Sequence, residues 1–134
     1  MRRLLVPLSL ADRLDIQDLL ARYNHAIDSA DAATWAATFV ADGTFTSGGR
    51  TRTGTAELEA FATDFAARMP GSRHWNNNIV IEGDGDHARM SCYLQLLKTG
   101  NSEPATLVTT AKYEDTLQRV HGVWRFTSRT VVRD

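Results

Sequence analysis

Three side chains, far apart in the sequence, carry the groups best suited to proton transfer: Tyr23, Asp28 and His74. Histidine is the usual proton carrier near neutral pH, and burial can tune the pKa of a phenol or a carboxylate. The sequence has no phosphate-binding loop and no nucleophile motif, and no two of its histidines stand at metal-ligand spacing. If the chain is an enzyme, these residues predict proton transfer inside an apolar pocket, with neither a metal nor an organic cofactor.

His74 precedes a segment, 75–78, that is too polar for an ordinary buried strand. Strict alternation along a strand would place His74, Asn76 and Asn78 on one face. Buried polar groups need partners, which a ligand or an ordered water can supply. We therefore expect this face to line a cavity. The alternative is a histidine that only hydrogen-bonds the backbone at the end of a strand.

Tyr23 lies at the centre of the apolar face of the first predicted helix, so its ring is expected in the core. Asp28 follows five positions later, which is roughly 140° around an ideal helix. Spacing alone therefore does not bring both groups into one cavity, and Asp28 would have to lie where the helix ends or bends. The alternatives are a core tyrosine bonded to a backbone carbonyl and a solvated or capping carboxylate.

Three helices are predicted to position the first two of these residues. A polar residue is expected to cap each helix: Ser9, Asp31 and Thr55. After Ser9, apolar residues recur at three and four positions, which is typical of one buried helix face. The second helix is predicted over Ala32 to Phe39, with Trp35 turned inward, and the third over Ala56 to Met69.

After Gly71 the pattern changes to that of strands rich in β-branched and aromatic residues. Glycine-containing breaks, such as Gly100-Asn101-Ser102, separate these segments and predict antiparallel hairpins. The predicted strands are His74 to Glu82, Ala88 to Leu97, Ala105 to Asp115 and Val123 to Val132, preceded by a short hairpin over Gly43 to Thr53 with its turn at Gly48-Gly49. The order predicts an α+β fold in which three N-terminal helices precede an antiparallel sheet. If that sheet is strongly curved, helices over its concave face would enclose a cavity.

Composition excludes several classes of partner. The 134 residues suffice for one domain with a core that needs no disulfide. A net charge of -1 provides no basic surface for nucleic acid or anionic lipid, and no apolar run is long enough to span a membrane. Cys92 is the only cysteine, and the apolar start lacks a signal-peptide cleavage site. We expect a single cytoplasmic domain over residues 1–134, with residues 1–8 as an N-terminal arm.

Segments spread along nearly the whole chain resemble the SnoaL-like branch of the nuclear-transport-factor-2-like superfamily. The segments that carry the resemblance are 15–23, Asp28, Asp31, Trp35 and 39–43 at the start, 72–74, Asn78 and 81–84 in the middle, and 122–126 with Arg129 at the end. The resemblance implies a curved sheet wrapped on helices, with an apolar cavity at the wide end of the cone.

In the dehydratases of this group, a tyrosine, an aspartate five residues later and a histidine at the start of a strand form the acid–base set. Tyr23, Asp28 and His74 occupy those positions, so the resemblance implies that Asp28 points toward the same cavity. The second catalytic histidine of scytalone dehydratase has no counterpart here; the strand that carries Tyr93 passes near its place.

These observations predict a cofactor-free lyase (a dehydratase) or isomerase that acts on a small, cyclic, hydrophobic hydroxy-ketone-like metabolite. Five further residues are predicted to contact the substrate: Trp35, Asn76, Asn78, Tyr93 and Arg129. Fold membership alone does not decide the function. The alternatives are a non-catalytic protein that binds a small molecule in the same cone and an accessory subunit of a larger oxidoreductase.

A homo-oligomer, either a dimer or a trimer, is expected because such cones commonly associate through the outer face of the sheet. The alternation that turns His74 inward would turn Trp75, Ile79 and Ile81 outward, where they could contribute to that interface.

Overall fold

The computed structural model describes residues 5–100 and 102–134, and within them it contains three α-helices and six β-strands. The helices are α1 (Leu10–Asp28), α2 (Ala32–Ala37) and α3 (Thr55–Arg68). The strands are β1 (Phe39–Ser47), β2 (Arg50–Thr53), β3 (Ser72–Asp84), β4 (His87–Lys98), β5 (Thr106–Val120) and β6 (Val123–Arg133). Residues 1–4 of the predicted N-terminal arm and Asn101 of the predicted loop lie outside the described residues.

The described part of the N-terminal arm packs against the turn between β3 and β4. The Val6 N–H donates to Asp84 Oδ1 at 2.8 Å, and the Gly85 N–H donates to the Val6 carbonyl at 2.9 Å. Leu8 is buried in the core. The segment just before α1 therefore joins the same domain as the sheet.

The first two helices begin where the sequence predicts. Ser9 and Asp12 form a capping box at α1: the Ser9 Oγ accepts from the Asp12 N–H at 3.0 Å, and the Asp12 carboxylate accepts from the Ser9 N–H at 3.2 Å. Asp31 caps α2 by accepting from the Thr34 N–H at 3.1 Å. The predicted cap at Thr55 is wrong, because Thr55 is the first residue of α3 and Gly54 precedes it without a side-chain cap.

Ser9→Ala is expected to lower the free energy of unfolding by about 1 kcal/mol, because the first turn of α1 loses its side-chain acceptor. Thr55→Ala is the matched control. Because Thr55 caps no helix, this substitution should change the free energy of unfolding by no more than about 0.5 kcal/mol. Urea denaturation followed by circular dichroism measures both values. Equal losses from the two variants would contradict the assignment of the caps.

The second helix ends at Ala37, two residues earlier than predicted, because Phe39 pairs with Phe126 and begins β1. The Asp42-Gly43 pair lies inside β1, at an irregularity in its pairing with β6, and is not the turn out of the helix. The hairpin turn at Gly48-Gly49 is confirmed: both residues have positive φ (58° and 75°), which a glycine pair adopts without strain.

The six strands form one curved, unclosed sheet in the order β2-β1-β6-β5-β4-β3. All neighbouring strands are antiparallel except β1 and β6, which run parallel. The predicted α+β fold, with helices on one face of a curved sheet, is confirmed. No helix among residues 5–100 and 102–134 has the length and apolar character needed to cross a membrane.

A β-bulge at Asn78 reverses the direction of the side chains along β3. The pairing with β4 shifts between Asn77 and Val80, and Asn78 adopts a positive φ of 52°. Strict alternation therefore gives the wrong face for every residue beyond the bulge. Ile79 and Ile81 pack toward the core, whereas Val80 is exposed.

The bulge also changes which residues lie on the outer face of the sheet. Trp75 is 57% exposed, as the sequence predicts, but Ile79 and Ile81 are turned inward and cannot contribute to an interface there. Self-association through the outer face stays a prediction, with Trp75 as the remaining member of the predicted set.

The core lies between the helices and the concave face of the sheet, and aromatic rings dominate it. Trp35 packs edge-on against Phe39 and Phe45, and Tyr23 packs against Phe126 at a centroid distance of 5.6 Å. Rings at such distances and tilts attract each other beyond the effect of area burial. The same rings form much of the wall of the candidate site.

Candidate active site

His74 and Asp28 form a direct, largely buried pair. The His74 Nδ1 lies 2.6 Å from the Asp28 Oδ1, and only 8% and 13% of the two side chains is exposed. The carboxylate also accepts the His74 backbone N–H, at 3.1 Å and 3.2 Å to its two oxygens. Asp28 thus fixes both the strand and the ring of His74.

This contact defines the chemistry of the imidazole. A carboxylate accepts hydrogen bonds, so the Nδ1 of a neutral His74 carries the proton and the Nε2 is left with a free lone pair. An imidazole in this tautomer, held by a carboxylate on one side, is a suitable general base on the other. The packing of the ring against Phe65, at 5.5 Å between centroids, restricts it further.

The ends of two elements bring this pair together. Asp28 is the last residue of α1 and reaches His74 there, but its side chain is not part of the lining of the cavity that Tyr23 and His74 share. His74 is the third residue of β3, whose start is fixed by Gly71. Gly71 has a φ of 76°, and a Cβ there would lie 2.3 Å from the Thr99 carbonyl oxygen. Only glycine fits this position.

A cavity of about 100 Å³ lies between α1, α2, α3 and the concave face of the sheet. We call it the aromatic cavity. Tyr23, Trp35 and His74 all line it. The other lining residues are Ile27, Phe45, Ser47, Phe61, Phe65, Leu94, Leu96, Thr109, Ala111, Tyr113, Val131 and Arg133. Its wall is therefore mostly apolar. The more buried polar groups belong to Tyr23, Tyr113, Trp35 and His74, and the less buried ones belong to Ser47, Thr109 and Arg133.

Tyr23 presents a neutral phenol to this cavity. Burial raises the pKa of Tyr23 above its ordinary value, although the nearby Arg129 cation opposes the shift. The nearby donor groups of Trp35 and Tyr113 also lower the Tyr23 pKa, but less than burial raises it. The Tyr23 hydroxyl therefore keeps its proton at neutral pH and can donate it to an acceptor in the cavity.

Trp35 offers a second donor to the same space. Its ring is fully buried, and its Nε1–H meets no acceptor at hydrogen-bond geometry, although it lies close enough to lower the Tyr23 pKa. A buried donor without an acceptor is costly. An oxygen atom of a ligand in the aromatic cavity would remove that cost.

Behind the phenols, Arg129 and Asp115 form an ion pair with fully buried side chains. The Arg129 Nε is 3.0 Å from the Asp115 Oδ1, but the N–H is not aligned to form a hydrogen bond. The guanidinium stacks on the Tyr113 ring at 3.6 Å and on the Tyr23 ring at 4.3 Å. This pair therefore supports the wall of the cavity from outside.

The family description "SnoaL-like domain" matches residues 8–130 of this sequence. The chain belongs to the SnoaL-like domain family. Among solved structures, Aln2 from a Streptomyces species is 33% identical to it, with 95% of this chain and 94% of that chain covered and a TM-score of 0.88. Among curated proteins, none matches the chain.

Two further solved structures place this SnoaL-like domain in the NTF2-like, cystatin-like fold. A protein of unknown function with a cystatin-like fold from Nostoc punctiforme is 27% identical over 96% of both chains, with a TM-score of 0.88. An NTF2-like protein with a cystatin-like fold from Novosphingobium aromaticivorans is 26% identical, covering 92% of this chain and 82% of that chain, with a TM-score of 0.82.

Of the residues predicted to contact a substrate, this SnoaL-like domain places Trp35 on the cavity wall and four elsewhere. Asn76 bonds to Asn24 at 2.6 Å and to the Tyr93 carbonyl at 3.2 Å, outside the lining. Asn78 is exposed at the bulge, and Tyr93 is 51% exposed on the outer face. Arg129 lies behind the wall. The bulge explains why Asn78 does not line the cavity. The alternation of side chains along β4 explains why Tyr93 lies on the outer face of the sheet.

Tyr113 is a residue of the site that the sequence pattern did not identify. It lies on β5, is buried, and faces Tyr23 edge-on at 6.4 Å between ring centroids. The alternation of Ala111, Tyr113 and Asp115 along β5 is the signal that could have placed its phenol in the same layer as Tyr23. Burial raises the pKa of Tyr113 well above its ordinary value, so this second phenol is also neutral.

Proposed function

We propose that this SnoaL-like domain is a cofactor-free acid–base enzyme, a lyase of the dehydratase type or an isomerase, that acts on a small cyclic hydroxy-ketone. One observation carries the proposal: the Asp28-oriented imidazole of His74 and the neutral phenol of Tyr23 line one aromatic cavity. A base and an acid that face the same apolar space are what enolisation of a ketone requires.

In the proposed reaction, the His74 Nε2 takes a proton from the carbon next to the carbonyl. The C–H bond breaks, and its electron pair forms the enolate. Tyr23 donates a hydrogen bond to the developing oxyanion, and the free Trp35 Nε1–H can donate a second. Asp28 balances the imidazolium that forms on His74.

The protonated His74 then returns its proton, and the position of return decides the reaction class. Transfer to a hydroxyl on the next carbon expels water and leaves a carbon–carbon double bond, which is dehydration. In a ketone that already carries a carbon–carbon double bond beside the deprotonated carbon, the intermediate is a dienolate, and transfer to its far carbon moves that double bond, which is isomerisation. Both outcomes use the same two groups, and each restores the neutral imidazole.

The dimensions of the site support a small cyclic substrate. A volume of about 100 Å³ accommodates one compact ring rather than an extended chain. The walls are aromatic and aliphatic, so burial of an apolar ring is favourable there. Tyr23 and Trp35 are the donors proposed for a bound carbonyl oxygen, because both are buried in the lining of the cavity.

His74→Ala is expected to slow hydrogen–deuterium exchange at the alpha carbon of cyclohexanone by about 10²- to 10⁴-fold, because the general base is removed. Nuclear magnetic resonance follows the exchange in D₂O with the purified protein. His87→Ala is the control, since His87 is exposed at the start of β4, outside the aromatic cavity. Equal exchange by the wild type and His74→Ala would remove His74 from the mechanism.

If the wild type binds the ketone without accelerating exchange, the domain is a binding protein that uses the same cavity. That result would favour the alternative function, since binding alone does not require the His74 Nε2 to act as a base. The exchange measurement therefore separates the two function classes directly.

A further inference from the structure

An exposed arginine lines the aromatic cavity, and we call the part of the cavity beside it the open end. Arg133 lies at the end of β6 and lines the cavity together with Ser47 and Thr109. Arg133 shares its strand face with Val131 and Arg129, which are turned to the concave side. Its guanidinium therefore belongs to the same side of the sheet as the candidate active site.

Arg52 on β2 reaches the same region through two lining residues. Its guanidinium lies 4.6 Å from the centre of the Phe61 ring, and its Nη1 donates to the Ser47 Oγ at 3.4 Å. Its pairing with Phe45 across the hairpin keeps it on the concave side. We call Arg52 and Arg133 the arginine rim.

The rim cations have no anionic partner in the part of the chain that the structure describes. Neither guanidinium belongs to an ion pair there, whereas the nearby Asp64 is engaged with Arg68 at 2.7 Å. Partial burial and the positive charges of Arg50 and Arg68 lower the pKa of Arg52, and the smaller effect of Asp64 opposes this shift without cancelling it. A cation that is partly desolvated and repelled by its neighbours is stabilised when an anion binds.

The size of the cavity indicates where that anion would come from. About 100 Å³ holds a ring, so any substituent on the far side of the ring from His74 and Tyr23 must pass the open end. There it meets the arginine rim. Guanidinium groups bind carboxylates through paired N–H donors in a planar fork.

We propose that the arginine rim binds a carboxylate attached to the ring that occupies the aromatic cavity. The substrate class is then a cyclic hydroxy-keto acid, with its carbonyl end at Tyr23 and its carboxylate end at Arg52 and Arg133. The proposal rests on the proposed function only for the orientation of the carbonyl end. The expected preference for an anion depends only on the rim residues, Arg52 and Arg133.

The test compares two probes that differ in charge: 3-phenylpropanoate and 3-phenylpropanamide. Isothermal titration calorimetry at low salt is expected to show the carboxylate binding about tenfold more tightly than the amide. Arg52→Gln and Arg133→Gln should each reduce that preference, and the double variant should abolish it. Raising the salt concentration should also narrow the difference, because the rim is partly exposed.

Arg89→Gln is the matched control, since it removes the same charge from an exposed position on β4 next to Glu82. Its carboxylate preference should equal that of the wild type. The proposal is overturned if the amide binds as well as the carboxylate, if Arg89→Gln reduces the preference as much as Arg52→Gln, or if neither probe binds up to its solubility limit.

Binding is measured without turnover, so this result is independent of the exchange experiment. A carboxylate preference that depends on the rim, together with an absence of exchange at the ketone, would leave the rim proposal intact and overturn the proposed enzyme. Exchange that depends on His74, without any carboxylate preference, would support the proposed enzyme and overturn the rim proposal.

Discussion

Asp28→Asn is expected to slow alpha-proton exchange as much as His74→Ala does, by up to roughly 10⁴-fold, which is the scale of the loss when the carboxylate that orients a catalytic histidine becomes an amide. The asparagine NH₂ can donate to the His74 Nδ1 and thereby stabilise the tautomer that carries its proton on Nε2. That tautomer has no lone pair on Nε2, which is the nitrogen proposed as the base. The substitution also removes the negative charge that balances the imidazolium.

The same variant should leave the architecture in place. An asparagine oxygen can still accept the His74 backbone N–H, which lies 3.1 Å and 3.2 Å from the two Asp28 oxygens. Cyclohexanone affinity should therefore stay near the wild-type value while the exchange rate falls. Asp18→Asn is the control, because Asp18 is an exposed carboxylate on α1 that pairs with Arg22.

Two results would contradict this role for Asp28. If Asp28→Asn and Asp18→Asn exchange at the same rate, the carboxylate does not act through His74. If ketone affinity and unfolding free energy fall together with the rate, Asp28 is a structural residue at the end of α1.

The sequence predicts the order of elements and the fold more completely than the positions of side chains. Helical periodicity and capping residues identify α1 and α2, and both depend only on neighbours in the chain. The pairing of Asp28 with His74 does not follow from local pattern, because it depends on where α1 ends relative to the start of β3. The family resemblance supplied that expectation, since it relates residues 46 positions apart.

The bulge at Asn78 shows why the polar lining was harder to predict. The sequence 76–78 is three asparagines, so composition gives no sign of which residue leaves the ladder. Only the pairing with β4 shows the shift. One extra residue moves Ile79 and Ile81 from the predicted outer face to the core, and it leaves Asn78 exposed.

The sequence pattern also did not predict that Arg129 and Asp115 form a buried ion pair. Arg129 was expected at the substrate, but the β5–β6 register sets it opposite Asp115. The predicted strand over Ala105 to Asp115 ends at that residue. In fact β5 continues to Val120, so Asp115 is a mid-strand residue on the concave side.

Arg129→Met is expected to lower the free energy of unfolding at neutral pH by about 3–5 kcal/mol, because it leaves the Asp115 carboxylate buried without its cation. Methionine preserves the length and flexibility of the side chain, which limits the contribution of a cavity. Urea denaturation at several pH values measures the effect. The stacking of the guanidinium on Tyr113 and Tyr23 is lost at every pH.

The charge-dependent part of this loss should grow with pH. Burial raises the pKa of Asp115 to about 6 in the wild type, and Arg129 opposes that rise. Without Arg129, the folded-state pKa of Asp115 is higher still, while the unfolded value stays near 3.9. The native state of each protein then binds a proton that the unfolded state has released, so stability falls as pH rises toward the folded-state pKa.

The two proteins therefore lose stability together from about pH 4 to about pH 6, and beyond that only Arg129→Met continues to lose it. The difference between them should be larger at pH 8 than at pH 5. Adding Asp115→Asn to Arg129→Met removes the buried charge, so the double variant should recover stability at pH 8 and lose the pH dependence. A double variant as unstable as Arg129→Met would show that ring stacking, rather than the paired charge, is what Arg129 contributes to the wall of the aromatic cavity.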